Sequence, residues 1–140
     1  MARLLSVLLA LLVPTMMACG PDGSAPESAA PVGEADVVRM AAAEFEEAVA
    51  EPDVVVLDVR TPEEYADGHL PGAVNLDVSD PGFPEALDRL DRDATYAVYC
   101  RTGSRSLAAT QTMREAGFDD VFDLEGGIEA WRTHEGRLIT

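Results

Sequence analysis

The chain has 140 residues and a net charge of −16, from ten basic and 26 acidic side chains, which leaves room for one domain of ordinary size and an appendage. Every basic residue is an arginine, and so acidic a surface repels phosphate backbones, which excludes nucleic acid as a partner. With 47% hydrophobic and 26% charged residues the chain is too apolar for a disordered polymer and rich enough to bury a core.

In chain order, the first segment is an apolar leader. Arg3 precedes the run Leu4 to Val13, and Pro14-Thr15-Met16-Met17-Ala18 lead to Cys19. A short basic end, an apolar stretch of about 7–15 residues and small residues at a cleavage point describe a secretory signal, and the run is short of the ~20 apolar residues of a membrane span. Met16-Met17-Ala18-Cys19 also resembles the lipobox of bacterial lipoproteins, with Met16 where leucine is usual. That resemblance implies a signal peptide over 1–18, a diacylated Cys19 carrying palmitate-like chains, and an extracytoplasmic protein held to a bacterial membrane, in the periplasm or on the outer face of the cell membrane. The alternatives are an incidental thiol beside an ordinary cleavage site and an uncleaved anchor. Residues 19–35 are mostly Gly, Pro, Ser, Ala and acidic side chains, which read as a tether with a flexible-coil reach of ~20–25 Å.

From residue 36 to 140 the pattern is that of an α/β domain. Val54-Val55-Val56-Leu57 and Tyr96-Ala97-Val98-Tyr99 are apolar runs suited to parallel strands buried on both faces, and residues 37–40, 73–76 and 121–123 are shorter candidates. Helices are predicted over 42–50, 62–67, 85–90 and 104–116 between them. The alternation implies a mainly parallel central sheet of about five strands with helices on both faces. Thr61-Pro62-Glu63-Glu64 combines an N-cap, a first-turn proline and the glutamate of a capping box, and Gly117 followed by Phe118 is a helix stop.

One loop carries the chemistry. Cys100-Arg101-Thr102-Gly103-Ser104-Arg105 follows a strand and opens a helix, placing the thiol at the carboxyl edge of the sheet, where α/β folds bind ligands. Successive loop N–H groups and the helix N-terminus converge there on an anion, and Arg101 and Arg105 are expected to add charge that lowers the thiol pKa. Cys19 and Cys100 read as two separate chemistries rather than a disulfide.

At these residues the chain resembles the rhodanese family. Leu57-Asp58-Val59-Arg60, Glu64-Tyr65, Gly68-His69-Leu70-Pro71-Gly72-Ala73 and Asn75 are similar to its first signature. Cys100 to Arg105 is similar to its active-site loop, and Leu124-Glu125-Gly126-Gly127-Ile128 with Ala130-Trp131 to its C-terminal signature. The resemblance covers nearly all of residues 36–140 and implies a rhodanese-like fold and a sulfurtransferase. Cys100 would take sulfane sulfur from thiosulfate or a persulfide donor, stand as a persulfide cradled by Arg101, Thr102, Gly103, Ser104 and Arg105, and pass the sulfur to a thiol or cyanide-like acceptor. A non-catalytic sulfur carrier or persulfide-binding module at the membrane surface is the alternative. The similar cell-cycle phosphatases have five residues between cysteine and arginine; here only four separate Cys100 from Arg105, a tighter cradle suited to one sulfur atom.

The same resemblance assigns Asp58 and Arg60 structural roles, a buried partner for the loops and its ion pair; His69, between Gly68 and Pro71, reads as a turn residue bonding to backbone rather than as a general base. The stretch from Asp77 to Pro84 is placed to wall the pocket, with Phe83 excluding water. Two histidines and one free thiol at these separations make no metal cluster, and no cofactor is expected.

Overall fold

The computed structural model describes residues 37–140, so the leader, Cys19 and the tether lie outside the described residues. The chain runs β1 (Val38–Met40), α1 (Ala42–Val49), β2 (Val54–Asp58), α2 (Pro62–Ala66), β3 (Val74–Asn75), α3 (Phe83–Leu87), β4 (Thr95–Tyr99), α4 (Ser104–Glu115), β5 (Val121–Leu124) and α5 (Gly127–Thr133). The five strands form one sheet in the order β1-β5-β4-β2-β3, and every pairing is parallel.

Period-two alternation in each strand splits the apolar side chains between two cores. Leu57, Val59, Tyr96, Val98, Cys100 and Val121 pack on one face with Phe83 and Leu87 of α3 and Ala109 and Met113 of α4. On the other, Val56, Ala97, Tyr99, Phe122 and Leu124 pack with Phe45 of α1 and Ile128 and Trp131 of α5. A strand covered on both sides has no polar face, which is why β2 and β4 read as unbroken apolar runs.

The local signals act at the expected places. Thr61 Oγ1 accepts from the Glu64 N–H, and the Glu64 carboxylate accepts from the Thr61 N–H. The Phe118 N–H returns to the Met113 carbonyl, closing α4 over Gly117. Two elements depart from the sequence reading. α3 starts at Phe83 rather than residue 85, because Pro84 fits a first helical turn instead of preceding one. α5 was not predicted, since it opens on Gly126 and Gly127, both at positive φ, and glycine is a poor helix former. Among the described residues no helix is long and apolar enough to cross a membrane.

Candidate active site

β4 delivers Cys100 to the carboxyl edge of the sheet, and the loop turns back at once into α4. The turn depends on Gly103, whose φ of 91° is one that side-chain-bearing residues rarely adopt. A Cβ there would meet the Arg39 guanidinium at 2.9 Å. The loop is pinned from behind by α5: the Ile128 and Glu129 N–H groups donate to the Cys100 and Arg101 carbonyls at 2.9 and 3.2 Å. Gly127, at the start of α5, lies so close that a Cβ would sit 2.5 Å from the Cys100 carbonyl oxygen. The glycine pair of the C-terminal signature therefore supports the cysteine loop.

The Cys100 sulfur is buried and accepts a hydrogen bond from the Gly103 N–H at 3.1 Å and from the Ser106 hydroxyl at 3.4 Å. Burial raises the thiol pKa, but the Ser106 hydroxyl together with the N–H groups of Ser106, Thr102 and Gly103 more than offsets it, so the net shift is downward. Thr102 thus enters through its backbone N–H, and Ser104 is the first residue of α4.

The two loop arginines are placed differently. Arg101 is 63% exposed and lies 3.5 Å from the Glu129 carboxylate, so it faces solvent and not the sulfur. Arg105 is held by both oxygens of Glu64, at 2.7 and 2.8 Å. Its charge still acts on Cys100 through space. Both arginines were expected to lower the thiol pKa by their charge; Arg105 acts on Cys100 through space, while hydrogen-bond donors from the loop and from Ser106 lower it directly.

The Arg105 guanidinium holds the Glu64 carboxyl down at about 2, from an ordinary 4.5. A carboxyl lowered on folding adds stability that is complete above its unfolded value and is lost as pH falls through the folded one. Glu64→Gln is therefore expected to destabilise at pH 7 by about 0.5–1 kcal/mol, the range of a partly exposed pair screened by solvent. The difference should shrink from pH 4.5 downward and vanish near pH 2, as urea unfolding of both proteins across that window would test.

Asp58 and Arg60 lie on the opposite face of the sheet from the cradle. The Asp58 carboxylate accepts from Arg60 Nε, Arg60 Nη2 and the Arg60 N–H, and from the Tyr99 hydroxyl at 2.6 Å. Arg60 also donates to the Gly68 carbonyl at 2.8 Å, and Tyr99 accepts from the Leu70 N–H at 3.1 Å. Burial and the neighbouring Asp58 charge push the Tyr99 hydroxyl pKa up, so it stays a donor. The network ties the ends of β2 and β4 to the turn that holds His69. His69 is stacked on Tyr65 at 3.7 Å, its Nδ1 lies 3.0 Å from the Tyr65 carbonyl, and its backbone pairs with Ile139.

Beside the edge of the sheet a cleft of about 310 Å³ is lined by Pro62, Asn75, Asp77, Asp80, Gly82 and Phe83, among others; its lining includes none of residues 100–105, so it is not the cysteine-loop pocket that the segment from Asp77 to Pro84 was expected to wall. Phe83 forms part of that wall and is also a buried core residue packed in the α3–α4 layer.

Three polar residues near the loop escaped the sequence reading: Ser106 and Asp123, both fully buried, and Arg39, which pairs with Asp123 at 2.9 Å. The available signal was Asp123 itself, a charge within the apolar run Val121 to Leu124. Among the described residues no cluster of His, Cys, Asp or Glu is arranged to hold a metal.

Comparison with known proteins agrees with this geometry. A family model for the rhodanese-like domain matches residues 41–134. A sulfurtransferase from Allochromatium vinosum is 37% identical over 82 residues, covering 59% of this chain and 75% of the relative. A thiosulfate sulfurtransferase from Pseudomonas fluorescens is 37% identical over 90 residues, 64% of this chain and 81% of the relative. The crystal structure of a rhodanese-related protein from Thermoplasma volcanium superposes with a TM-score of 0.66 at 32% identity, over 73% of this chain and 97% of that one. With its all-parallel five-stranded sheet and a cysteine loop seated between β4 and α4, the chain belongs to the rhodanese-like domain family.

Proposed function

We propose that the protein is a sulfurtransferase that carries sulfane sulfur as a persulfide on Cys100, taking it from thiosulfate or a persulfide donor and giving it to a thiophilic acceptor. The observation that carries this reading is the buried Cys100 sulfur facing the Gly103 N–H and the Ser106 hydroxyl, in a loop with four residues between Cys100 and Arg105. With thiosulfate, the thiolate attacks the outer sulfur, a Cys100 S–S bond forms, and sulfite leaves with the electron pair of the broken sulfur–sulfur bond. The terminal persulfide sulfur then bears the negative charge, and the cradle that favoured a thiolate favours it as well. An acceptor such as cyanide or a thiolate bonds to that sulfur and returns the pair to Cys100. Cys100 alternates between a free thiolate and a sulfur-loaded form, attacking in the first half and leaving in the second, so the reaction is expected to show ping-pong kinetics.

Steady-state thiosulfate-to-cyanide transfer with both substrates varied tests this. Parallel double-reciprocal lines are the expected result; converging lines would remove the persulfide intermediate. Sulfur uptake without turnover would favour the carrier reading.

The resemblance of residues 16–19 to a lipobox supports a further part of the proposal, that Cys19 is acylated and holds the domain outside the cytoplasm on a bacterial membrane. Incorporation of labelled palmitate in cells, lost in Cys19→Ala, is the expected outcome. A Cys19→Ala protein still processed and membrane-bound would rule it out.

A further inference from the structure

Asp123 is an anomaly of position. β4 and β5 pair so that Val98 lies opposite Asp123, and alternation turns the Asp123 side chain to the same face as Val98, Cys100 and Val121, beneath α4. That face is otherwise apolar, and a buried carboxylate there is costly unless its oxygens are satisfied. Arg39 of β1 donates to Oδ2 at 2.9 Å, whereas Oδ1 is buried with no partner.

The group within reach is Ser106, in the first turn of α4 and itself fully buried. Its hydroxyl donates to Cys100 Sγ, 3.4 Å away, and the same group helps to hold down the Asp123 carboxyl, which burial pushes up. A hydroxyl has one hydrogen to donate. Given to the sulfur, it leaves Asp123 Oδ1 without a donor. Turned to Oδ1, it presents a lone pair to the sulfur, which suits a thiol S–H and not a thiolate.

We propose that Asp123 is a positioning residue for Cys100, competing with the sulfur for the single Ser106 hydrogen and thereby setting the pH at which Cys100 becomes a nucleophile. The proposal rests on Cys100 being the sulfur-carrying group and names the device that tunes it. Arg39 balances the competition from the far side: by donating to Oδ2, and to the Gly103 carbonyl at 3.4 Å, it lessens the pull of the carboxylate on Ser106. The other charges that face the pair are Glu125 just after β5, acting on Asp123, and Arg105 in the first turn of α4, acting on Cys100, which is held by Glu64 of α2 and faces Asp77 after β3. None of these hydrogen-bonds Ser106.

The test is the pH profile of iodoacetamide alkylation of Cys100 in the full chain carrying Cys19→Ser, which leaves one thiol. Asp123→Asn places an amide donor where Oδ1 stood and frees the Ser106 hydrogen, so the midpoint is expected to fall by about one pH unit. Arg39→Gln leaves the carboxylate in place and strengthens its pull, so the midpoint should rise. Ser106→Ala should raise it too and abolish the effect of Asp123→Asn in the double variant. A merely structural role predicts no opposed shifts, and Arg39→Gln, at a partly exposed side chain, keeps the test alive if Asp123→Asn does not fold. An unmoved midpoint in Arg39→Gln, or an Asp123→Asn shift of equal size with and without Ser106, would overturn the proposal. Alkylation reads the thiol itself, so a failure of sulfur transfer to appear would count against the proposed function and leave this measurement intact.

Discussion

Cys100→Ser is expected to lower thiosulfate-to-cyanide transfer by about three orders of magnitude or more, as loss of an enzyme's nucleophile does, while leaving the fold in place. Serine fits the space, and its oxygen can accept the same Gly103 N–H. What it lacks is an accessible anion: the cradle lowers the thiol toward neutrality, whereas the same donors leave a hydroxyl far from ionisation. An unchanged unfolding midpoint beside lost turnover is the expected pair of results. Substantial activity in the variant would place the chemistry elsewhere in the chain.

The largest expected effect on stability lies on the other face of the sheet. Asp58→Ala removes the partner of Arg60, whose side chain is 4% exposed, and an acceptor of the Tyr99 hydroxyl. A buried charge stripped of its partner costs about 3–5 kcal/mol, which in a domain of this size lowers Tm by roughly 15–25 °C. Asp58→Asn keeps an acceptor for Tyr99 and should lose less. Because the network fixes the 68–70 turn to β2 and β4 and touches neither Cys100 nor its donors, what folded Asp58→Asn remains should retain the alkylation profile of Cys100. Thermal unfolding of the three proteins, with that profile recorded at low temperature, separates the two roles. A shifted profile in folded Asp58→Asn would make this network part of the cradle.

These two predictions mark what the sequence makes legible. Runs of one character, such as Val54 to Leu57, announce buried parallel strands because both faces must be apolar. Thr61 to Glu64 announces its helix because the capping bonds span only three residues. Cys100 was legible for the same reason, since the donors that hold it follow within six positions. The rest is long-range. Glu64 and Arg105 are 41 residues apart, and nothing local shows that the capping glutamate also clamps the loop arginine. Arg39 and Asp123 are separated by 84 residues and meet only because β1 pairs with β5. A charge inside an apolar strand was the one visible trace of that site, and its meaning depends on Ser106, which the strand does not contain. α5 was missed because its opening glycines serve the close approach to Cys100 at the expense of helix propensity.

On the function proposed above, Cys100 itself bears the transferred sulfur. The most direct test is the intact mass of the Cys19→Ser chain after treatment with thiosulfate or a small persulfide and removal of donor, then again after addition of cyanide. The expected result is a gain of one sulfur atom that maps to the peptide containing Cys100, disappears with cyanide as thiocyanate forms, and is absent in the Cys100→Ser variant. No gain with either donor, or a gain that survives loss of Cys100, would contradict it.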